Sequence, residues 1–292
     1  MTMAVLTMGL GAVVPDAVAA SKKRVKQMRT GYGLTASGSL VKFDAGNTSR
    51  ARRVGTITGL AAGERLVGID IRPLIGEIYG VSNRSNVYEI ARRSGTATLK
   101  SSLKTADGAP VALQGTSFGL DFNPTNDRLR LISNARQNLR INPDSGVTIA
   151  DGTLAYRNGG EQPSVVGAAY TNNDNDSFLD RAQLYPAGRM ATGTQLFTID
   201  AARSSLALQD PPNEGSLTTV GGLGRRTGST VGFDIFSPVN SEGNTAGNVG
   251  YASLRRNGGT RLYKVNLGTG RTTPVRGSNG QFRAVEDIAI VP

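Results

Sequence analysis

The sequence predicts an all-β protein, a five-bladed β-propeller of four-stranded antiparallel blades that is closed by its C-terminal strand. Three observations predict this fold. A phrase with Gly-x-Asp, an apolar residue and a following proline occurs at 66–73, 117–124 and 230–238. A second segment, which alternates apolar and polar residues, occurs five times. The last ten residues, 283–292, resemble the first phrase down to its proline.

The alternating segment predicts one strand of each blade. Its five copies are "SLVKFD" (39–44), "NVYEIA" (86–91), "QNLRIN" (137–142), "QLFTID" (195–200) and "RLYKVN" (261–266). Alternation with period two, rich in aromatic and β-branched residues, is typical of a half-buried strand. In most blades the Gly-x-Asp phrase and then one further strand-like segment precede the copy, and a turn and another strand follow it. Each copy is therefore interpreted as the third of four strands. Four-stranded units repeated around an axis are propeller blades.

The two ends of the chain predict how the ring closes. The first copy begins at "GYGLTASG", which has the pattern of a second strand and lacks a first. The final segment "RAVEDIAIVP" (283–292) would complete that blade and cover the edge that an open array exposes. The five blades are then expected to begin near Gly31, Leu66, Ser117, Val165 and Thr230.

The repeated phrase places an aspartate at an equivalent position in three blades, Asp70, Asp121 and Asp234, and Ala169 in the fourth. A catalytic set is not expected to follow blade symmetry. We therefore expect structural carboxylates that accept backbone N–H bonds, with catalytic carboxylates as the alternative.

The composition excludes several classes of enzyme. The 292 residues contain no cysteine and no histidine, so disulfides, thiolate metal sites, His-ligated zinc and Ser-His or Cys-His nucleophile pairs are all ruled out. There is also no tryptophan to stack on a sugar ring. Beyond residue 20 no apolar run is long enough for a transmembrane helix.

The N-terminus predicts export. Residues 1–20 are apolar up to Pro15 and then contain Ala17-Val18-Ala19, a small-x-small cleavage signal. The basic segment that opens a signal peptide is missing, so we interpret 1–20 as a signal-peptide remnant, with a disordered apolar tail as the alternative. The expected location is secreted, periplasmic or at the cell surface.

Residues 21–30 are predicted to form a basic flexible arm before a single propeller domain, 31–292. The arm contains Lys22, Lys23, Arg24, Lys26 and Arg29, out of a net charge of +11. Such a run can contact an anionic surface, although a solvated arm is the simpler interpretation. The rest of the positive surplus is scattered among single arginines without interleaved aromatic residues, which does not favour sequence-specific nucleic-acid binding.

One loop has the composition of a cation site. The segment "TNNDNDSFLD" (171–180) gathers Asp174, Asp176 and Asp180 with Asn172, Asn173 and Asn175, and calcium takes such carboxylate and amide oxygens from alternating loop positions. The EF-hand pattern fails, because its glycine and its distant glutamate are absent. A polar connection between the first two strands of the fourth blade is the alternative, and no other cofactor is predicted.

Several segments, matched in order, resemble one family of bacterial exported proteins. They are "LVGIDIRPLIGEIYGVS", "GTSFGLDFNPTNDRLRLIS", "QNLRINPDSG", "AAYTNN", "NEGSLTTVGGLG" and "VGFDI". The family is the domain-of-unknown-function 4394 family, and the resemblance covers roughly residues 31–292. It implies an exported, propeller-like protein and implies no reaction. The basic arm departs from the family pattern.

Three functions are compatible with these observations. The favoured one is an exported, non-catalytic propeller that acts as a binding or scaffold module at the cell envelope or outside the cell. The second is a carboxylate-dependent hydrolase or lyase acting on a glycan. The third is a surface structural or assembly component that docks on an anionic envelope polymer or on another surface protein.

Overall fold

The computed structural model describes residues 29–172, 194–238, 245–256, 259–277 and 280–292. Within these ranges the chain forms five antiparallel sheets, each built on four strands, around a common axis. The predicted five-bladed propeller is confirmed. Two short 3-10 turns, Pro212–Glu214 and Phe282–Ala284, interrupt the strands. None of the described segments is a helix with the length and apolar character needed to span a membrane.

The strands of each blade follow one another from the axis outward. Blade 1 contains β21 (Val285–Ile290), β1 (Thr30–Thr35), β2 (Ser39–Asp44) and β3 (Asn47–Thr56). Blade 2 contains β4 (Leu66–Ile71), β5 (Ile78–Ser82), β6 (Asn86–Ile90) and β7 (Ala97–Ser102). Blade 3 contains β8 (Phe118–Asn123), β9 (Arg128–Ser133), β10 (Asn138–Ile141) and β11 (Thr148–Ala150).

The last two blades have the same arrangement. Blade 4 contains β13 (Val165–Tyr170), β14 (Leu196–Asp200), β15 (Ser205–Gln209) and β16 (Ser216–Gly222). A short strand, β12 (Ala155–Tyr156), adds to its outer edge in parallel with β16. Blade 5 contains β17 (Val231–Phe236), β18 (Val249–Arg256), β19 (Gly259–Val265) and β20 (Thr272–Pro274).

The C-terminal strand closes the ring as predicted. Strand β21 pairs antiparallel with β1, and Gly31, Tyr32 and Gly33 lie opposite Ile290, Ala289 and Ile288. The first strand of the chain therefore has no open inner edge. Blade 1 is built from both ends of the described chain, which makes blades 5 and 1 neighbours.

Blade 4 corrects one prediction. The segment "QLFTID" (195–200) was expected to form the third strand, but β14 pairs directly with the innermost strand β13, with Phe197 opposite Ala169. It is therefore the second strand, and β15 takes the third place. Alternation alone cannot separate the two places, because it identifies a strand but not the strands with which it pairs.

The core lies between the blades. Ile69 and Ile71 of blade 2 pack against blade 1, whereas Tyr79 of the same blade packs against blade 3. Tyr79 meets Phe122 edge to face, with ring centroids 5.6 Å apart. Because successive side chains in a strand point to opposite faces, every blade can bury both of its faces.

The glycine of the repeated phrase is explained by close approach at the axis. A Cβ atom on Gly119 would lie 2.5 Å from the Ala168 nitrogen, and one on Gly232 would lie 2.6 Å from the Asp287 Cα. Neither position has room for a side chain. The innermost strands of these two blades can therefore lie so close to their neighbours only because this residue is glycine.

Candidate functional site

The three repeated aspartates meet at the axis of the ring. Asp70 lies on β4, Asp121 on β8 and Asp234 on β17, and one carboxylate oxygen of each lies within 4.8 Å of the others. Their exposed fractions are 5%, 3% and 2%. The sequence predicted equivalent positions for these residues in their blades. Because the blades surround one axis, these equivalent positions lie close together.

Each of these carboxyl groups accepts a backbone hydrogen bond from the innermost strand of the next blade. Asp70 accepts the Phe122 N–H at 2.7 Å, and Asp121 accepts the Tyr170 N–H at 2.7 Å. Asp234 accepts the Ile290 N–H of the closing strand. The side chains therefore tie neighbouring blades together, which is the geometry expected of a structural carboxylate.

A fourth aspartate, Asp287, was missed by the sequence reasoning. It lies on β21, and its Oδ2 accepts the Ile69 N–H of blade 2 at 2.8 Å. Aligning "VEDIAI" with "LVGIDI" would have found it, because Asp287 then falls at the position of Gly68 and Ala289 at the position of Asp70. It stands where the other four innermost strands have glycine.

Two blades lack the repeated aspartate, so they provide no carboxyl acceptor for a backbone N–H of the following blade. In the following blade an aspartate interacts with that N–H instead. Blade 4 has Ala169 at this place, and Asp234 of blade 5 uses its second oxygen, Oδ1, to accept its own neighbouring Ile235 N–H at 2.6 Å. Blade 1 has Ala289, and Asp70 of blade 2 likewise interacts with the amide of Ile71. These backbone donors are thus satisfied without a carboxyl from the preceding blade.

Burial controls the charge of this cluster. It raises the pKa of Asp70 and of Asp121 well above the ordinary value, and neighbouring carboxyl groups raise both further. Burial also raises the pKa of Asp234 to about 6, against the opposing effect of its two amide hydrogen bonds. The raised pKa values mean that the cluster keeps protons to a higher pH than free aspartates do, which limits the repulsion among its members.

A pocket of about 370 Å³ opens at the end of the axis where the innermost strands begin. Asp287 lines it, together with the first residues of β4 and β8 and the turn between β1 and β2. The remaining wall comes from the loops that lead into blades 2, 3 and 5. Four of the five blades thus contribute to one concave site.

The pocket combines apolar walls with hydroxyl and carboxyl groups. The Asp287 side chain is partly exposed on the side of the pocket and is enclosed by protein on its other sides. This burial raises the pKa of its carboxyl to about 8. Glu286 lies beside it, 3.8 Å from the Arg255 guanidinium. Glu64, also in the lining, accepts hydrogen bonds from the Tyr88 hydroxyl and the Asn86 amide.

Most of the other predicted site residues lie outside the described part of the chain. These are Asp174, Asp176 and Asp180 of the calcium hypothesis and the arm residues Lys22, Lys23, Arg24 and Lys26. Arg29 is described and half-buried. Its guanidinium donates to the Tyr251 hydroxyl at 2.8 Å and lies 5.3 Å from the centre of the Phe236 ring. The first strand follows directly, at Thr30.

Comparison with known families identifies the family of this chain. Residues 39–289 match the family described as Domain of unknown function (DUF4394). The chain belongs to this family. The match covers most of the propeller, so the resemblance drawn from the repeated phrases is confirmed. No curated protein matches the sequence.

Three solved structures share a distant likeness with the DUF4394 chain. A protein of unknown function from Bacteroides thetaiotaomicron has a TM-score of 0.43 and 12% identity, over 82% of this chain and 56% of that one. A protein from Lactobacillus plantarum has a TM-score of 0.38 and 12% identity, over 89% and 71%. An auxiliary nutrient binding protein from Bacteroides thetaiotaomicron has a TM-score of 0.37 and 14% identity, over 76% and 55%. The DUF4394 chain thus spans little more than half the length of the first.

Proposed function

We propose that this protein is an exported, non-catalytic propeller that binds a small ligand in the axial pocket. The observation that carries the proposal is the pocket itself, about 370 Å³ in volume and formed by residues of four blades around one axial carboxyl. Concave sites of this size, with apolar walls and a few convergent polar groups, are where proteins bind small molecules.

The lining indicates the kind of ligand. Leu66 and Phe118 offer apolar surface, whereas Thr35, Ser117 and Thr230 offer hydroxyl groups that donate and accept hydrogen bonds. A ligand with one apolar face and several hydroxyl or carbonyl groups matches this mixture. The hydroxyl or carbonyl groups of such a ligand would form hydrogen bonds with most polar groups of the pocket wall.

Asp287 supplies the central polar contact. A carboxyl group with a pKa near 8 is protonated at neutral pH, so it can donate its O–H to a ligand oxygen. Its second role, accepting the Ile69 N–H, holds the side chain in one orientation. An oriented donor inside a partly dry pocket contributes more to binding than the same group in water.

The deeper carboxyl groups support binding rather than chemistry. Asp70, Asp121 and Asp234 are at most 5% exposed, and their oxygens accept backbone N–H groups. A substrate could reach them only if the innermost strands separated. Their contribution to function is to hold rigid the strands on which the pocket is built.

A glycan hydrolase or lyase is the second candidate, and one observation favours it. Asp287, whose pKa is raised, and Glu286 line the same pocket, and glycoside hydrolysis commonly uses two carboxyl groups, one as the acid and the other as the base or nucleophile. A panel of neutral oligosaccharides incubated with the protein would then yield shorter products. The Asp287→Asn variant would bind the same sugars without cleaving them.

A fragment screen by ligand-observed NMR tests the binding proposal on the full chain. Ser229 lies at the mouth of the pocket and is exposed, so Ser229→Trp should block entry without disturbing the core. The matched control is Thr98→Trp, on the exposed face of β7 and away from the pocket. We expect fragment hits that disappear in Ser229→Trp and persist in Thr98→Trp. Hits unchanged in both variants, or a library without hits, would overturn the proposed site.

Export is tested separately. Residues 1–20 have the character of a cleaved segment, so mass spectrometry of protein recovered from the native host should find a start near Ser21. An intact Met1 in mature material would contradict cleavage.

A further inference from the structure

The positive charge of the protein is concentrated in two blades. The segments that build blades 5 and 1, residues 29–65 and 225–292, contain 15 Lys and Arg against 6 Asp and Glu, a surplus of nine. Residues 66–224, which contain the other three blades, have 14 basic and 15 acidic residues. Asp234 and Asp287 are among those six acids and lie at the axis, so the outer surface of blades 5 and 1 is more basic than the counts indicate.

Ring closure joins the two basic segments into one surface. Strand β3 of blade 1 begins where blade 5 ends, because Asn47 pairs with Arg276 in a parallel bridge. The Thr48 N–H donates to the Arg276 carbonyl at 3.0 Å, and the Thr48 hydroxyl donates to the Gly277 carbonyl at 2.8 Å. The outer strands of both blades are therefore continuous in space.

Six exposed cations on or next to the outermost strands β3 and β20 and on the adjacent strand β19 form what we call the basic rim: Arg50, Arg52, Arg261, Lys264, Arg271 and Arg276. Arg50 follows Thr48 by two residues on β3, which places it roughly 7 Å further along the strand. Lys264 shares a face of β19 with Leu262, which packs in the core between blades 5 and 1. Among the described residues, no acidic side chain lies within ion-pair distance of a rim cation.

We propose that the basic rim binds an anionic polysaccharide through its phosphate or carboxylate groups. Of the 15 basic residues of blades 5 and 1, 13 are arginine. The planar guanidinium group pairs with phosphate or carboxylate through two parallel hydrogen bonds, which an ammonium group cannot do. A row of such groups matches a polymer that repeats one anion along its length.

The rim suits a polysaccharide better than a single-stranded nucleic acid. Proteins that hold single strands stack the bases on exposed aromatic side chains. No tyrosine or phenylalanine of the described residues is exposed, so the rim offers charge without a stacking surface. The partner is therefore recognised by its anions alone, and the binding is expected to depend strongly on salt.

The test compares two variants with the same change in net charge, made in the full chain. The rim variant is Arg50→Gln, Lys264→Gln, Arg276→Gln, and the control is Arg84→Gln, Arg93→Gln, Lys104→Gln on blades 2 and 3, where all three residues are also exposed. Affinity is measured for polygalacturonate, a polysaccharide with carboxylates, and for a phosphomannan, a polysaccharide with phosphates, at salt concentrations from about 50 to 200 mM. These two polymers decide which anion is preferred.

We expect the rim variant to lose about tenfold or more in affinity at low salt, and its salt slope to fall by about two, because three cation contacts are removed. The control should lose less than about threefold, since its charges only contribute to the general field. Equal losses in the two variants, no binding to either polymer, or tighter binding of single-stranded DNA than of both polymers would overturn the proposal. Unchanged melting temperatures show that both variants are folded.

Discussion

The axis and the basic rim each contain several groups of like charge, but the axis buries these groups and the rim exposes them to solvent. At the axis, Asp70, Asp121 and Asp234 are at most 5% exposed, and each accepts a backbone N–H from a neighbouring blade. At the rim, cations such as Arg50 and Lys264 are exposed and solvated. Buried like charges persist only if hydrogen bonds satisfy them and protons neutralise them, whereas water stabilises exposed ones. We therefore expect the axis groups to serve the fold, whereas the rim groups are accessible to the partner proposed above.

Removing the closing strand should have the largest effect on stability. Deletion of residues 285–292 removes Asp287 from the axis, takes the Ile290 N–H from Asp234 and exposes the inner edge of β1. We expect loss of cooperative unfolding, or aggregation through the open edge, in circular dichroism melts and size-exclusion chromatography. The rim variant, by contrast, should melt like the unmodified protein. A truncated chain with an unchanged melting temperature would show that closure is not needed.

The pH dependence of the free energy of unfolding should reflect the axial aspartates and not the cations of the rim. The folded protein raises the pKa of Asp234 to about 6 and of Asp287 to about 8, and raises those of Asp70 and Asp121 as well. Between the pKa of an unfolded aspartate, about 4, and these raised values, the folded state binds more protons than the unfolded state. The contribution of these groups to the free energy of unfolding is therefore complete below about pH 4 and declines as the pH rises.

Urea unfolding between about pH 4.5 and 9 measures this decline. The free energy of unfolding should fall through the interval that contains the pKa values of Asp234 and Asp287. Asp287→Asn, which cannot ionise, should flatten the upper part of the curve. Stability that increases over the same interval would contradict protonated carboxyl groups at the axis.

A single carboxyl of the axis should have a smaller effect. Asp121→Ala leaves the buried Tyr170 N–H without its acceptor, and the expected cost is about 1–3 kcal/mol of unfolding free energy. Asp121→Asn keeps an oxygen in the same place and adds no charge, so its cost near neutral pH should be clearly smaller. If alanine and asparagine destabilise the protein equally, the hydrogen bond to Tyr170 is not what the carboxyl contributes.

Much of the fold could be predicted from local pattern. The first strands of blades 2 and 4 begin at Leu66 and Val165 as expected, and those of blades 3 and 5 begin one residue later than expected. Alternation of side chains is a property of neighbouring residues, so the sequence displays it directly. The error at 195–200 has the same origin, because strand order within a blade depends on pairing and not on alternation.

The candidate site was only partly visible in the sequence. The repeated phrase drew attention to Asp70, Asp121 and Asp234, because recurrence makes a residue conspicuous. Asp287 breaks the repeat and was overlooked for that reason, although it is the axial carboxyl that lines the pocket. If the axial pocket binds a ligand as proposed, a residue that departs from the blade pattern where the others have glycine is the better indicator of the functional site in this ring.

The amino-acid sequence alone determined the number of blades, the alternation within their strands and the presence of a strand to close the ring. Tertiary structure decided which distant residues became neighbours. The arginines that are scattered along 29–65 and 225–292 form one basic rim only because β21 pairs with β1, and the repeated aspartates meet only because the blades surround one axis. Strand patterns arise from contacts between adjacent residues, whereas shared pockets and charged surfaces arise from contacts between segments far apart in the chain.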